Sequence, residues 1–244
     1  MNDYLPLLGL LVAAGTLLMW FLCRAWRACG EANGVDWGSS LNNHIVGCIA
    51  LFCRYVHHFQ YQPIPLPAEG GALVVANHIS GLDPFLLIVA SPRPLRFLIA
   101  REEYERFGLR WLFRRGRCIP VDRDRNPERA LREALRALEA GDVVALFPQG
   151  RIHLESDGPR KLKGGVVRLA HKSGCPIYPV RVDDVRGAGH TVRGVLFPSE
   201  AKLRVAPVLH CEDMDHATCL DILAARLALD SALPDNPPEQ AKLP

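Results

Sequence analysis

The sequence predicts an α/β sandwich with a mostly parallel central sheet, preceded by an N-terminal membrane helix or two-helix motif. From Gly70 onward, short apolar runs of strand length alternate with amphipathic stretches of helix length, the pattern of a sheet covered by crossover helices. Leu5 to Cys23 is a run of 19 residues without a charge. At 1.5 Å per residue it reaches roughly 28 Å, the hydrocarbon thickness of a bilayer. The chain of 244 residues is 49% hydrophobic and 23% charged. That leaves room for a full core and excludes a wholly disordered chain, a collagen-like repeat and a polytopic membrane protein.

The first run is preceded by Met1, Asn2 and Asp3, without the basic residues of a signal peptide, and is followed by Arg24 and Arg27. Tyr4, Trp20 and Trp26 flank it, as aromatics do at headgroup depth, and the trailing arginines place the rest of the chain on the cytoplasmic side. A second apolar segment, Leu41 to Val56, is broken by Asn42, Asn43, His44 and Arg54, too short and too polar for a clear span. It is expected to lie in the interface and pair with the first helix in a shallow hairpin; packing on the soluble body is the alternative. The resulting division is 1–60 for membrane anchoring, 61–230 for the soluble domain and 231–244 for a proline-containing tail without apolar period, read as disordered.

Within the soluble part, strands are expected at Ala72–Ala76, Leu95–Ala100, Arg117–Val121, Val143–Phe147, Pro176–Val182 and Lys202–Val208. The clearest helix is Pro127–Ala140. Asn126 supplies an N-cap, Pro127 fits the first turn, Gly141 stops it, and Leu131, Ala134, Leu135 and Leu138 form one apolar stripe. Further helices are expected at Pro84–Ala90, Glu102–Arg114, Gly165–Lys172 and His216–Leu229.

The net charge of +3 is a cancellation: −2 over residues 1–92, +6 over 93–136, +3 over 137–199 and −4 over 200–244. All thirteen basic residues of 93–136 are Arg, whose planar fork suits phosphate or carboxylate oxygens, although a solvated helix face accounts for such a run equally well. Trp111 and Phe113, with Arg110, Arg114, Arg115 and Arg117, either enter an anionic membrane surface or pack in the ordinary way. A nucleic-acid partner is excluded by context, since the basic block follows a membrane helix and lacks stacking motifs. The eight cysteines are scattered without metal-ligand spacing and read as reduced thiols. His57 and His58, being adjacent, point apart and are expected in the interface; His153 is expected to be an exposed loop residue.

The apolar strand ALVVA runs directly into Asn77-His78-Ile79-Ser80-Gly81-Leu82-Asp83-Pro84. Polar side chains then sit at the carboxyl end of a buried strand, where open α/β sheets form their sites. Asp83 before Pro84 reads first as a helix N-cap. With one oxygen capping, the other can accept from the His78 imidazole, fixing its tautomer and making the second ring nitrogen a base.

Asn77-His78 with Asp83 five positions after the His resembles the first motif of the glycerolipid acyltransferases, the 1-acylglycerol-3-phosphate acyltransferase family. Gly116–Arg123 (GRCIPVDR) resembles the second motif, Phe147-Pro148-Gln149-Gly150-Arg151 the third and Cys175–Val180 (CPIYPV) the fourth, all in the family's order. Lys161-Leu162-Lys163-Gly164-Gly165 is similar to the family's basic-glycine stretch.

The resemblance implies transfer of a fatty acyl group from an acyl thioester, acyl-CoA or acyl carrier protein, to a hydroxyl of a lyso-lipid at the membrane, most simply 1-acylglycerol-3-phosphate. No metal or other cofactor is implied. His78 would be the general base, Asp83 its orienting partner, and Ser80 a turn residue rather than a nucleophile. Asn77, Arg123, Gln149, Gly150, Arg151, Lys161 and Lys163 would contact substrate, the cations holding its phosphate. Two departures stand out: Gln149 where the family usually has Glu, and Arg151 directly after Gly150. They point to a different acceptor contact, so a lyso-ornithine lipid or a lysophospholipid is an alternative acceptor. A thioesterase or lipid hydrolase is the further alternative, and the absence of a Gly-x-Ser-x-Gly elbow counts against its serine form.

Overall fold

In the computed structural model of the chain, which describes residues 5–123, 127–154, 156, 158 and 162–228, the apolar N-terminal run forms one long helix, α1 (Leu5–Glu31). Among the described residues it is the one helix long and apolar enough to cross a bilayer, and its apolar window is covered by no other part of the chain. After a loop the chain enters α2 (Ser40–Val56), capped by the Ser39 hydroxyl, which accepts from the Asn42 N–H. Two of the polar residues that interrupt the apolar run serve this end of α2: the Trp37 N–H donates to Asn43 Oδ1 at 2.7 Å, and His44 stacks on Trp26 with ring centroids 3.9 Å apart.

The two helices meet at Gly47, where a Cβ would lie 1.6 Å from the Cys29 carbonyl oxygen, so a side chain is sterically excluded there. The Cys29 and Cys48 sulfurs approach to 2.8 Å across the same contact. Farther along, α2 turns to the soluble body: Cys53 is fully buried, and Ile49 and Phe52 pack against its core. The second segment thus both pairs with the first helix and packs on the body.

Seven strands follow: β1 (Gln60–Tyr61), β2 (Ala72–Ala76), β3 (Leu95–Ala100), β4 (Ile119–Val121), β5 (Val143–Leu146), β6 (Ile177–Asp183) and β7 (Lys202–Val205). They form one sheet in the order β1-β7-β6-β2-β5-β3-β4, parallel at every pairing except β6 with β7. The helices are α3 (Asp83–Ala90), α4 (Arg101–Tyr104), α5 (Leu109–Arg115), α6 (Pro127–Glu139), α7 (Gly165–Ser173), α8 (Thr191–Leu196) and α9 (His216–Ala228).

Strand alternation divides the core. In β2, Ala72, Val74 and Ala76 face Leu86, Leu87 and Ala90 of α3 and Cys53 of α2. Leu73 and Val75 face the opposite layer, built from α6, α7 and α9. Every residue of β2 and β5 is buried, as central parallel strands covered on both faces must be. The apolar stripe of α6 is rotated from the expected one: Ala130, Ala134, Ala137 and Leu138 are buried, while Leu131 and Leu135 are half-buried at its margins. The expected cap Asn126 and the tail 231–244 lie outside the described residues.

Several expectations are corrected. The single helix over Glu102–Arg114 is two, because Gly108 adopts a left-handed φ of 81° that interrupts the helix between α4 and α5. Two elements were not foreseen: β1 is two residues long and runs into Pro63, Pro65 and Pro67, and α8 carries too few apolar positions to show a period. Cys211 and Cys219 are joined as a disulfide, since the turn before α9 brings their Cα atoms to 5.8 Å.

His57, finally, is fully buried rather than interfacial. Its Nε2–H donates to the Val195 carbonyl at 3.0 Å, so Nδ1 is unprotonated and accepts from the Ser199 hydroxyl at 2.7 Å. Burial holds its pKa below the usual imidazole value. Below about pH 6.5 the unfolded chain takes up a proton that the folded chain resists, so this stability is complete above that range and is lost as pH falls through it. Denaturant titrations in detergent at pH 7.5 and 5 are expected to show a larger loss for the parent chain than for His57→Gln; equal losses would contradict this.

Candidate active site

β2 ends at Ala76, and the next residue is fixed by the neighbouring strand. The buried Asn77 side chain donates to the Val182 carbonyl at 2.8 Å and accepts from the Val182 N–H at 2.7 Å, acting as an extra peptide unit between β2 and β6. Both its polar atoms are committed to backbone, so Asn77 holds the loop rather than facing a substrate.

His78 follows at the carboxyl edge of the sheet. Its Nδ1–H donates to Asp83 Oδ2 at 2.8 Å. The same oxygen accepts from the Ile79 N–H at 2.7 Å and the Ser80 N–H at 2.9 Å, and Oδ1 accepts from the Ser80 hydroxyl at 2.6 Å. Asp83 therefore does not cap α3, as expected from the Asp-Pro pair; the helix begins on it, without a side-chain cap from Leu82, and both carboxylate oxygens are turned into the loop. The carboxylate is fully buried while the His78 side chain keeps 19% of its surface exposed. With Nδ1 protonated and directed at Asp83, the lone pair lies on Nε2, the arrangement of an oriented general base. Ser80 is buried and also accepts from the Leu82 N–H at 3.1 Å, so its hydroxyl is committed to the turn.

The loop after β5 completes the setting. Phe147 stacks on the His78 ring, centroids 4.2 Å apart and planes 18° from parallel. Gln149 Oε1 accepts from the His78 N–H at 2.7 Å. Gly150 has a left-handed φ of 74°, and a Cβ there would lie 2.8 Å from Lys163 Cε, so this glycine makes room for the lysine stem. The Lys163 N–H donates to the Pro148 carbonyl at 2.9 Å, which ties the basic-glycine stretch to the same loop.

α8 closes the His78–Asp83 turn from another side. A Cβ on Gly81 would lie 2.3 Å from the Thr191 carbonyl oxygen, and one on Gly194 would lie 2.6 Å from Ser80 Cβ. The His153 N–H donates to the His78 carbonyl at 2.8 Å, so the expected exposed loop histidine is part of the cross-tied frame.

His78, Asp83, Gln149, Gly150 and Lys163 are thus brought together. Arg151 is exposed beside them. Arg123 lies just beyond β4, three strands from β2, roughly 14 Å across the sheet. Its guanidinium is 3.8 Å from Glu102. Lys161 lies outside the described residues. Sequence reasoning missed the stacking role of Phe147 and the packing of α8; the first had a signal, since Phe147 sits at the end of a predicted strand beside β2.

Gln149 takes the place of an expected acceptor contact, yet its oxygen is used on the His78 backbone. Gln149→Glu retains that oxygen and is expected to keep activity within a few-fold, whereas Gln149→Ala, losing a hydrogen bond contributing about 0.5–1.5 kcal/mol, is expected to lower turnover about tenfold through loosening of the base. Initial rates on one acceptor compare the three; equal rates for Ala and Gln would contradict this role.

Among the described residues, the turn thus places at the sheet edge an imidazole oriented by a buried carboxylate, with its serine hydroxyl committed to the turn itself. A family model described as Acyltransferase matches residues 58–183, and the chain belongs to that family of enzymes. The 1-acyl-sn-glycerol-3-phosphate acyltransferase of Bacillus subtilis is 25% identical over 167 residues, covering 68% of this chain and 80% of that protein. A probable 1-acyl-sn-glycerol-3-phosphate acyltransferase of Mycoplasma genitalium is 34% identical over 117 residues, 45% of this chain and 43% of that protein. The crystal structure of the 1-acyl-sn-glycerophosphate acyltransferase PlsC from Thermotoga maritima superposes with a TM-score of 0.60 at 18% identity, covering 78% of this chain and 82% of that one, so the fold is shared.

Proposed function

We propose that this acyltransferase acts on 1-acylglycerol-3-phosphate, moving a fatty acyl group from acyl-CoA or acyl carrier protein to the free glycerol hydroxyl. The observation that carries the reading is the 2.8 Å contact from His78 Nδ1 to a fully buried Asp83. His78 Nε2 takes the hydroxyl proton as the oxygen attacks the thioester carbonyl. The carbon–sulfur bond then breaks, and the departing thiolate takes the proton back from the imidazolium, leaving a free thiol and the new ester. Asp83 stabilises that imidazolium and is not itself protonated. No acyl-enzyme, metal or other cofactor takes part in this proposal.

Lys163 and Arg151, beside the catalytic turn, hold the acceptor phosphate, with Lys161 of the same basic stretch assigned to that role from sequence; Arg123, across the sheet, reaches the outer part of the substrate. Because Gln149 Oε1 is engaged by the His78 N–H, the Gln in place of Glu bears on the loop and leaves the phosphate contact to Lys163 and Arg151. α1 anchors the chain in the membrane, and the arginines that follow its apolar run favour a catalytic domain on the cytoplasmic side. The test offers the reconstituted full chain lysophosphatidic acid, a lyso-ornithine lipid and a lysophosphatidylethanolamine in competition, with either thioester donor. Acylation chiefly of lysophosphatidic acid is expected; preference for a neutral or zwitterionic head group would contradict the acceptor assignment.

A further inference from the structure

Two apolar projections leave the described surface near the site and are used by no step of the reaction. After β3 and α4 the chain reaches Phe107, fully exposed at the left-handed turn of Gly108, and Trp111 is 53% exposed in the following helix. After β6 it reaches α8, where Val192 and Leu196 lie four apart on one helix face, 61% and 66% exposed, with Phe197 next to them. Because β3 and β6 both run parallel to β2 in the sheet, both projections leave the carboxyl edge that carries His78, on opposite sides of β2 in strand order. Phe113, by contrast, packs on Tyr104, their rings 5.9 Å apart, and takes no part in the exposed surface.

Each projection is tied to α2, the partner of the membrane helix. Arg115 Nε donates to Asn42 Oδ1 at 2.9 Å, fastening α5 to the first turn of α2. His57, at the other end of α2, donates to the Val195 carbonyl of α8 at 3.0 Å. Exposed arginines stand next to both tips, Arg106, Arg110 and Arg114 beside Phe107 and Trp111 and Arg186 and Arg193 beside the α8 face, while the exposed acids lie farther back, Glu102, Glu103 and Glu105 around α4, with Glu103 pairing Arg106 at 2.8 Å, and Asp184 and Glu200 on either side of α8. Aromatic and aliphatic tips surrounded by arginine, on a frame continuous with an apolar helix, have the composition of a surface seated at lipid headgroups.

We propose that the Phe107–Trp111 segment and the Val192–Phe197 segment are two docking prongs that enter an anionic bilayer on either side of the catalytic turn, in addition to the anchor supplied by α1. The prongs hold the sheet edge against the lipid surface, so that a lyso-lipid reaches His78 without leaving the interface. The purpose assigned to them rests on the lyso-lipid reading of the site.

The test reconstitutes the full chain in vesicles of phosphatidylcholine and phosphatidylglycerol, with and without brominated acyl chains. The emission of Trp111 is read as the difference between the chain and Trp111→Phe, and Leu196→Trp adds a reporter on α8. Both signals are expected to lose most of their intensity to brominated lipid and to be shielded from acrylamide. Loss at only one position, or at neither, overturns the proposal, including the case in which a second protein covers the patch. Phe107→Asp combined with Leu196→Asp is expected to raise the lyso-lipid surface concentration for half-maximal transfer about tenfold, leaving transfer to a short-chain acceptor in solution unchanged. An equal rise on both acceptors overturns the docking role. Absence of transfer by the parent chain to any acceptor would remove the catalytic reading, while the quenching result, which needs no turnover, still decides whether the prongs enter lipid.

Discussion

His78→Ala in the reconstituted chain is expected to reduce acyl transfer by about two to four orders of magnitude, the usual contribution of a positioned general base. The fold should survive. The ring is partly exposed, and its removal leaves Asp83 with three other donors, the Ile79 and Ser80 N–H groups and the Ser80 hydroxyl. Expression and the unfolding midpoint are therefore expected to stay close to those of the parent while product formation disappears. A variant that keeps more than a tenth of the parent rate would show that a different group takes the hydroxyl proton.

Asp83→Ala is expected to be worse than His78→Ala in a second respect, because it damages the fold as well as the chemistry. The carboxylate is fully buried and serves four donors within five residues. Two of those donors belong to Ser80, which is itself buried. Leaving each unsatisfied costs about 1–3 kcal/mol, so a loss of about 2–6 kcal/mol is expected, a large share of the roughly 5–15 kcal/mol that holds a domain folded. Asp83→Asn separates the two effects. It preserves volume and one acceptor, but its amide nitrogen must face donors, and it provides no negative charge for the imidazolium. The expected outcome is partial stability with activity as low as that of His78→Ala. Full activity in Asp83→Asn would remove the charge from the account.

Much of this site is legible in the amino-acid sequence, for a physical reason. A strand buried on both faces is a continuous apolar run, so the abrupt polar sequence after Ala76 marks the edge of the sheet and places His78 there. The i to i+5 spacing of His78 and Asp83 needs only a tight turn to bring the two side chains together, and Gly81 permits one by its lack of a side chain against Thr191. The helix α1 is legible because length and absence of charge suffice. The hairpin with α2 is half legible: of the polar residues that argue against a span, Asn42, Asn43 and His44 build its first turn.

What stays illegible depends on contacts between distant segments. The role of Gln149 requires the loop after β5 to lie beside the loop after β2, a consequence of strand order that no local pattern reports. His57 reads as one of two adjacent polar residues until Val195 and Ser199, more than 130 positions later, satisfy both ring nitrogens. The Asp83 cap fails because a local rule meets a stronger competitor: the turn offers the carboxylate more donors than the helix end does. The split of the Glu102–Arg114 helix is visible only as a glycine, and glycine alone does not distinguish a tolerated helix position from a left-handed turn.

The central claim is that His78 takes the proton from a lyso-lipid hydroxyl as that oxygen attacks the thioester, so that the acyl group goes to the lipid rather than to water. The most direct measurement follows a labelled acyl thioester in the reconstituted full chain, with and without lysophosphatidic acid. The account predicts labelled diacylated lipid when the acceptor is present and little free fatty acid in either case. Rapid release of labelled fatty acid without acceptor, unchanged when acceptor is added, would contradict it and mark the protein as a hydrolase.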